Sequence, residues 1–214
     1  PGRLPAQPSG SAVLYLHRQD TFIHNLPTGE TTRLASGLIP QSWSPSGILL
    51  KGESMIQVFP DMQTTQPATI SLESLACPQL EEAVWLNDSV LMRASSGSRS
   101  CLYLYSMEQA RIIHTELDYE GFDLLPSPDG RFWIHRTLDG LELRNISGQR
   151  VMLPDIHCGY KPGIRQDLAF SPDGTELAYF SEGVIWKADI DIHGLHDPMQ
   201  LYQPSSFLPD LSWS

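Results

Sequence analysis

The chain has 214 residues and a mass of 23.9 kDa, long enough for one all-β domain with a sizeable buried interior. Charged residues make up 18%, the net charge is −11 and the pI is near 4.9, so broad attraction to phosphate backbones or anionic lipid is disfavoured. No apolar stretch reaches the roughly 20 residues that cross a bilayer as a helix, and the sequence contains no signal-peptide pattern. These features predict a soluble chain, cytoplasmic or periplasmic, that binds no nucleic acid and does not insert directly into a membrane.

Residues 1–7 read as an N-terminal extension. Pro8-Ser9-Gly10 has turn composition and leads into the alternating run Ala12-Val13-Leu14-Tyr15-Leu16-His17. The turn then recurs as Ser44-Pro45-Ser46-Gly47, Ser127-Pro128-Asp129-Gly130 and Ser171-Pro172-Asp173-Gly174. In each, Pro presets φ, Asp or Ser caps the backbone locally and Gly accepts positive φ, a pattern that joins two strands as a hairpin. Val84-Trp85-Leu86-Asn87-Asp88 occupies the corresponding place in a fainter copy. Aligned on these turns, Trp43, Trp85, Pro126, Phe170 and Trp213 form one column with spacings of 42, 41, 44 and 43. A period in the low forties with four strands per unit is that of propeller blades.

Strands are readable inside the units. Arg131–His135, Leu141–Ile146 and Arg150–Leu153 follow one turn; Glu176–Phe180, Val184–Ala188 and Met199–Tyr202 follow the next. Helical periodicity is almost absent. The fold class expected is therefore all-β: a β-propeller of about five four-stranded antiparallel blades. Their approximate bounds are 8–35 with 210–214, 40–74, 82–115, 122–153 and 167–203, within a single domain spanning 8–214. The C-terminal Leu211-Ser212-Trp213-Ser214 reads as an inner strand that pairs with the N-terminal strands and closes the ring. The rival reading is a piece of a longer ring.

The Ser-Pro-Asp-Gly turns, with an aromatic two residues before the Pro in the Trp43 and Phe170 units, resemble the Tol-system class of propeller repeat. That repeat also builds the propellers of prolyl-oligopeptidase-type enzymes. The resemblance covers residues 8–214 and is WD-repeat-like in architecture, although Trp-Asp dipeptides and Gly-His pairs are absent. It implies a binding platform without naming a ligand. A regulatory propeller gating a peptidase is one further member of that class.

Chemistry-bearing residues cluster where loops enter the inner strands. Three residues before the aromatic column stand Pro40, Glu82, Asp123, Asp167 and Asp210, four of them acidic. In the expected fold they surround the channel mouth, either capping loops or forming a carboxylate ring for a basic side chain or cation. On the same face, Tyr119, Glu120 and Phe122 lie in one loop, and His157, Tyr160, Lys161 and Arg165 in a longer one. Aromatics and Arg on a loop rim are frequent interface anchors, and they can equally fold back over the blade tops.

No nucleophile–base pair, phosphate loop or dinucleotide fingerprint is present, so no catalytic residue and no cofactor are assigned. Cys77, Cys101 and Cys158 have no zinc-ligand spacing and are expected as buried free thiols, while His193 and His196 are expected in a solvated loop over residues 191–197; no metal site is assigned. Asn145-Ile146-Ser147 matches a glycosylation acceptor in form. The reading is a non-catalytic interaction module, set within a larger protein or assembly, that binds a protein or a basic peptide at the loop face and channel mouth. The alternative is a carbohydrate-binding or glycoside-hydrolysing propeller that uses the channel carboxylates.

Overall fold

Short apolar runs interrupted by turn residues can satisfy their backbone groups only by pairing with their neighbours. The computed structural model shows that pairing in detail and describes residues 11–60, 66–153, 156 and 168–202. Its strands form five antiparallel sheets, and the chain divides into two compact units, Pro1–Tyr119 and Glu120–Ser214.

The first unit holds three sheets. β1 (Ala12–His17), β2 (Asp20–Asn25) and β3 (Thr31–Ser36) form a three-stranded meander. These are the three N-terminal strands expected for a composite blade. The strand expected to complete that blade, and with it Trp213, lies outside the described residues. β4 (Ile39–Ser44), β5 (Gly47–Lys51), β6 (Met55–Phe59) and β7 (Ala68–Ser71) make a four-stranded sheet in chain order. β8 (Gln79–Leu86), β9 (Ser89–Ser96), β10 (Arg99–Ser106) and β11 (Arg111–Leu117) repeat it.

The cores follow from the two-residue period of strands. Ile48 and Leu50 of β5 pack with Ala12, Leu14, Ile23 and Phe59, towards the meander. Leu49, between them, points the other way and joins Ile56, Val58, Trp85, Met92 and Tyr103. A strand covered on both faces needs a continuous apolar run, and Ile48-Leu49-Leu50 is one. Trp85, from the aromatic column, donates its indole N–H to the Gly47 carbonyl at 2.9 Å, tying β8 to the turn of the preceding sheet. A side chain at Gly47 would bring its Cβ to 2.4 Å from the Phe59 carbonyl oxygen, so no other residue fits there without backbone movement.

The cysteines depart from the sequence expectation. Cys77 and Cys101 are not free thiols: they form a disulfide with Cα atoms 6.0 Å apart, both fully buried in the same core. Cys158 lies outside the described residues.

The second unit contains β12 (Phe122–Pro126), β13 (Phe132–Thr137), β14 (Gly140–Asn145) and β15 (Arg150–Met152) in one sheet. β16 (Leu168–Phe170), β17 (Glu176–Ser181), β18 (Val184–Asp191) and β19 (Gly194–Tyr202) form the other. Phe132, Ile134, Leu141, Leu143 and Leu153 pack against Leu168, Leu177, Tyr179, Ala188 and Ile190. The solvated loop expected at residues 191–197 is instead a tight hairpin, with Asp191 paired to Gly194 and the chain already in strand at His196. The Asp191 carboxylate accepts from the His193 N–H at 2.7 Å and so closes the turn after two residues.

Both Ser-Pro-Asp-Gly turns have the same wiring. The Ser127 hydroxyl donates to Asp129 at 2.7 Å and accepts from the Phe132 N–H at 3.2 Å; the Ser171 hydroxyl donates to Asp173 at 2.6 Å and accepts from the Glu176 N–H at 2.9 Å. Asp129 and Asp173 are thus spent on their own turns, in keeping with a structural role. The turns also meet each other. A Cβ on Gly174, where φ is +74°, would stand 2.9 Å from the Asp129 carboxyl carbon. Gly174 therefore supplies both a left-handed conformation and room for its neighbour's carboxylate.

Candidate functional site

Three of the four described inner strands, β4, β8 and β12, are irregular where the chain enters them, whereas β16 pairs with β17 in regular register. The register shifts between Pro40 and Ser42 in β4, between Leu80 and Glu82 in β8, and between Phe122 and Leu125 in β12. Bulges re-aim side chains at strand ends. The acidic column falls on two of these irregularities.

In the first unit Glu82 sits opposite Arg93 of β9, with 4.0 Å between the Glu82 carboxylate and Arg93 Nε. Lys51, at the end of β5, donates to the Glu81 carbonyl at 2.7 Å. Burial pushes the Lys51 ammonium below the ordinary lysine value, and the nearby Glu81 carboxylate acts against that shift. The Glu81 side chain in turn accepts from the Ser95 hydroxyl at 2.6 Å. This corner is a mixed-charge cluster, not a bare carboxylate.

The second strands of the sheets carry a cation period of their own that the acidic column concealed. Lys51, Arg93 and Arg136 occupy the second strand of three successive sheets at spacings of 42 and 43. The pairing register places them opposite Ile39, Glu82 and Phe122. The spacing was available in the sequence, but only the strand register shows that it runs alongside the acidic column.

In the second unit Glu120 and Phe122 are exposed and Asp123 is half-buried. Asp123 has φ of +59°, a left-handed conformation that non-glycine residues adopt at a cost. Such outliers concentrate at binding and catalytic positions, which makes Asp123 a candidate on geometric grounds. Tyr119, by contrast, is only 2% exposed, and its backbone N–H donates to the Ser100 carbonyl at 2.9 Å. Tyr119 is therefore buried and is not an exposed anchor. Asp167, Asp210, His157, Tyr160, Lys161 and Arg165 lie outside the described residues.

β13 and β14 carry a second polar group that sequence reasoning missed. Trp133, His135 and Arg144 are buried, and the Glu142 carboxylate lies 3.4 Å from His135 Nε2 while accepting from Arg144 Nε. His135 and Glu142 are direct cross-strand partners, so this pairing follows from the register of one hairpin.

His193 and His196 do not converge as ligands. His196 Nε2 donates to Asp191 at 2.9 Å, a bond that raises the His196 pKa and lowers that of Asp191. Among the described residues no group of three or more His, Cys, Asp or Glu side chains is arranged to hold a metal ion. Among them, too, no helix is long and apolar enough to cross a membrane.

Comparison with known proteins places the fold. No protein-family model matches the chain, and no curated protein sequence does. Solved structures do match, and they are β-propellers. Hsv2 from Kluyvelomyces marxianus aligns with a TM-score of 0.62 at 7% identity, over 92% of this chain and 64% of that one. Hydrazine synthase from Kuenenia stuttgartiensis gives 0.59 at 13% identity, over 87% and 63%. TolB from Acinetobacter baumannii gives 0.56 at 15% identity, over 93% and 56%. The chain thus spans less than two thirds of the length of each of these three structures. At these identities the likeness defines the fold alone: an all-β chain of five antiparallel sheets of the β-propeller type.

Proposed function

We propose that the chain is a non-catalytic interaction module of the Tol-type propeller class, presenting the inner-strand entries to a protein or peptide partner. The observation that carries this reading is the entry to β12. There the exposed Phe122 and the half-buried Asp123, held at positive φ, are presented together beside Glu120. An aromatic flanked by fixed carboxylates suits a partner segment that brings a basic residue next to an apolar one. The net charge of −11 favours the approach of such a segment over long range. Asp129 and Asp173 are committed to their turns and Glu82 faces Arg93, so the carboxylates this reading uses are Glu120 and Asp123. The likeness to interaction scaffolds supports the same reading at the level of fold.

The test is affinity capture from extract of the source cells, using the native chain beside a Phe122→Ala/Asp123→Asn double variant of equal thermal stability. A protein held by the native chain and lost from the variant is the expected result. Identical captures would remove the β12 entry from the account. Release of sugar from an oligosaccharide panel, abolished in the same variant, would replace the reading with the carbohydrate one.

A further inference from the structure

The Cys77–Cys101 bridge ties a connection to a strand that it would otherwise only touch. Cys77 lies in residues 72–78, the link from β7 to β8, and Cys101 is the third residue of β10. Side chains two apart on a strand share a face, so Cys101 and Tyr103 both point at this link. The sulfur of one closes the disulfide, and the hydroxyl of the other accepts the Cys77 backbone N–H at 2.9 Å. On either side the link is held by backbone bonds from Leu72 N–H to the Ser54 carbonyl and from Leu80 N–H to the Glu53 carbonyl, each at 2.8 Å. Tyr103 is 1% exposed and both cysteines are fully buried.

We propose that this is a permanent covalent clamp between the second and third sheets, and that the protein matures in an oxidising compartment. Two features exclude a working redox pair. The cysteines are 24 residues apart with no Cys-x-x-Cys spacing, and their burial leaves no line of attack for an incoming thiolate. A protein made and kept in a reducing cytosol would hold the two as thiols. Formation is an exchange with a donor disulfide. The two thiols give up two protons and two electrons, one S–S bond forms here, and the donor is reduced to a dithiol. It must occur before the core closes, while the sulfurs are still reachable.

The experiment uses the full chain recovered from its source cells, quenched in acid, denatured and alkylated without reductant. One alkyl group per chain, on Cys158, and a crosslinked peptide joining Cys77 to Cys101 are expected; after reduction, three groups. Three groups without reductant, or a crosslink that involves Cys158, would overturn the proposal. A second arm treats the folded protein with dithiothreitol. The bridge should persist in the native chain and be reduced at least several-fold faster in Tyr103→Phe, whereas rapid reduction in the native chain would contradict a sealed clamp.

Discussion

The junction between the second and third sheets and the junction between the fourth and fifth solve one packing problem by different means. In the second unit the turns are full Ser-Pro-Asp-Gly copies, and Asp129 fits against Gly174. In the first unit the third sheet has lost that turn and carries Leu86-Asn87-Asp88 instead. There Asn87 takes the left-handed conformation, with φ of +54°, and the Ser46 hydroxyl donates to Asp88 at 3.3 Å. The weaker turn is accompanied by a wider apolar core, the Trp85 indole bond and a disulfide. Turn chemistry and core chemistry can therefore substitute for each other, provided each junction retains enough of one.

The largest effect is expected at the disulfide. Cys101→Ala should cost about 3 kcal/mol on the chain-entropy account of a loop of this length. Cys77→Ala should cost the same and the double variant little more, all read by urea unfolding. A double variant twice as costly as either single would break the idea that the bridge is one device. Next comes Gly174→Ala, which adds a Cβ at positive φ against Asp129 and should cost about 2 kcal/mol. Asp129→Ala should recover part of that loss, because the clash is removed and the φ penalty is not. Trp85→Phe should cost about 1 kcal/mol by leaving the Gly47 carbonyl without its buried donor, with packing nearly kept.

The smallest effect is a pH dependence. Hydrogen bonds from the Ser171 hydroxyl, then from Thr175, hold the Asp173 carboxyl down at about 2. A carboxyl whose pKa is lower folded than unfolded stabilises the fold above the unfolded value, and that contribution is lost as the pH falls through the folded one. Thermal melts of the native chain should therefore fall more steeply between about pH 4 and pH 2 than those of Asp173→Asn. Parallel curves would show that the turn's hydrogen bonds are not coupled to stability.

The turns were legible in the sequence because their information is local: Pro, Asp and Gly act within four residues. The blade period followed from them, as did strands such as β17, found at Glu176–Ser181 against an expected Glu176–Phe180. What depended on distant contacts was not legible. Cys77 and Cys101 meet only once β7, β8 and β10 have packed, and nothing near either residue announces the other. Tyr119 reads as a rim aromatic, and only the packed structure shows it buried. The short hairpin at Asp191 was hidden because two histidines and two aspartates read as a solvated loop. The acidic column was visible by its period, but it gave no sign that Arg93 stands opposite Glu82.

The most direct test of the central claim is a calorimetric titration of the captured partner onto the native chain, Phe122→Ala and Asp123→Asn, with melting curves recorded in parallel. The account predicts at least a tenfold weakening in Phe122→Ala, a smaller loss in Asp123→Asn that shrinks as salt is raised, and unchanged melting temperatures. Equal affinity across the three proteins would contradict it and move the binding face away from the entry to β12.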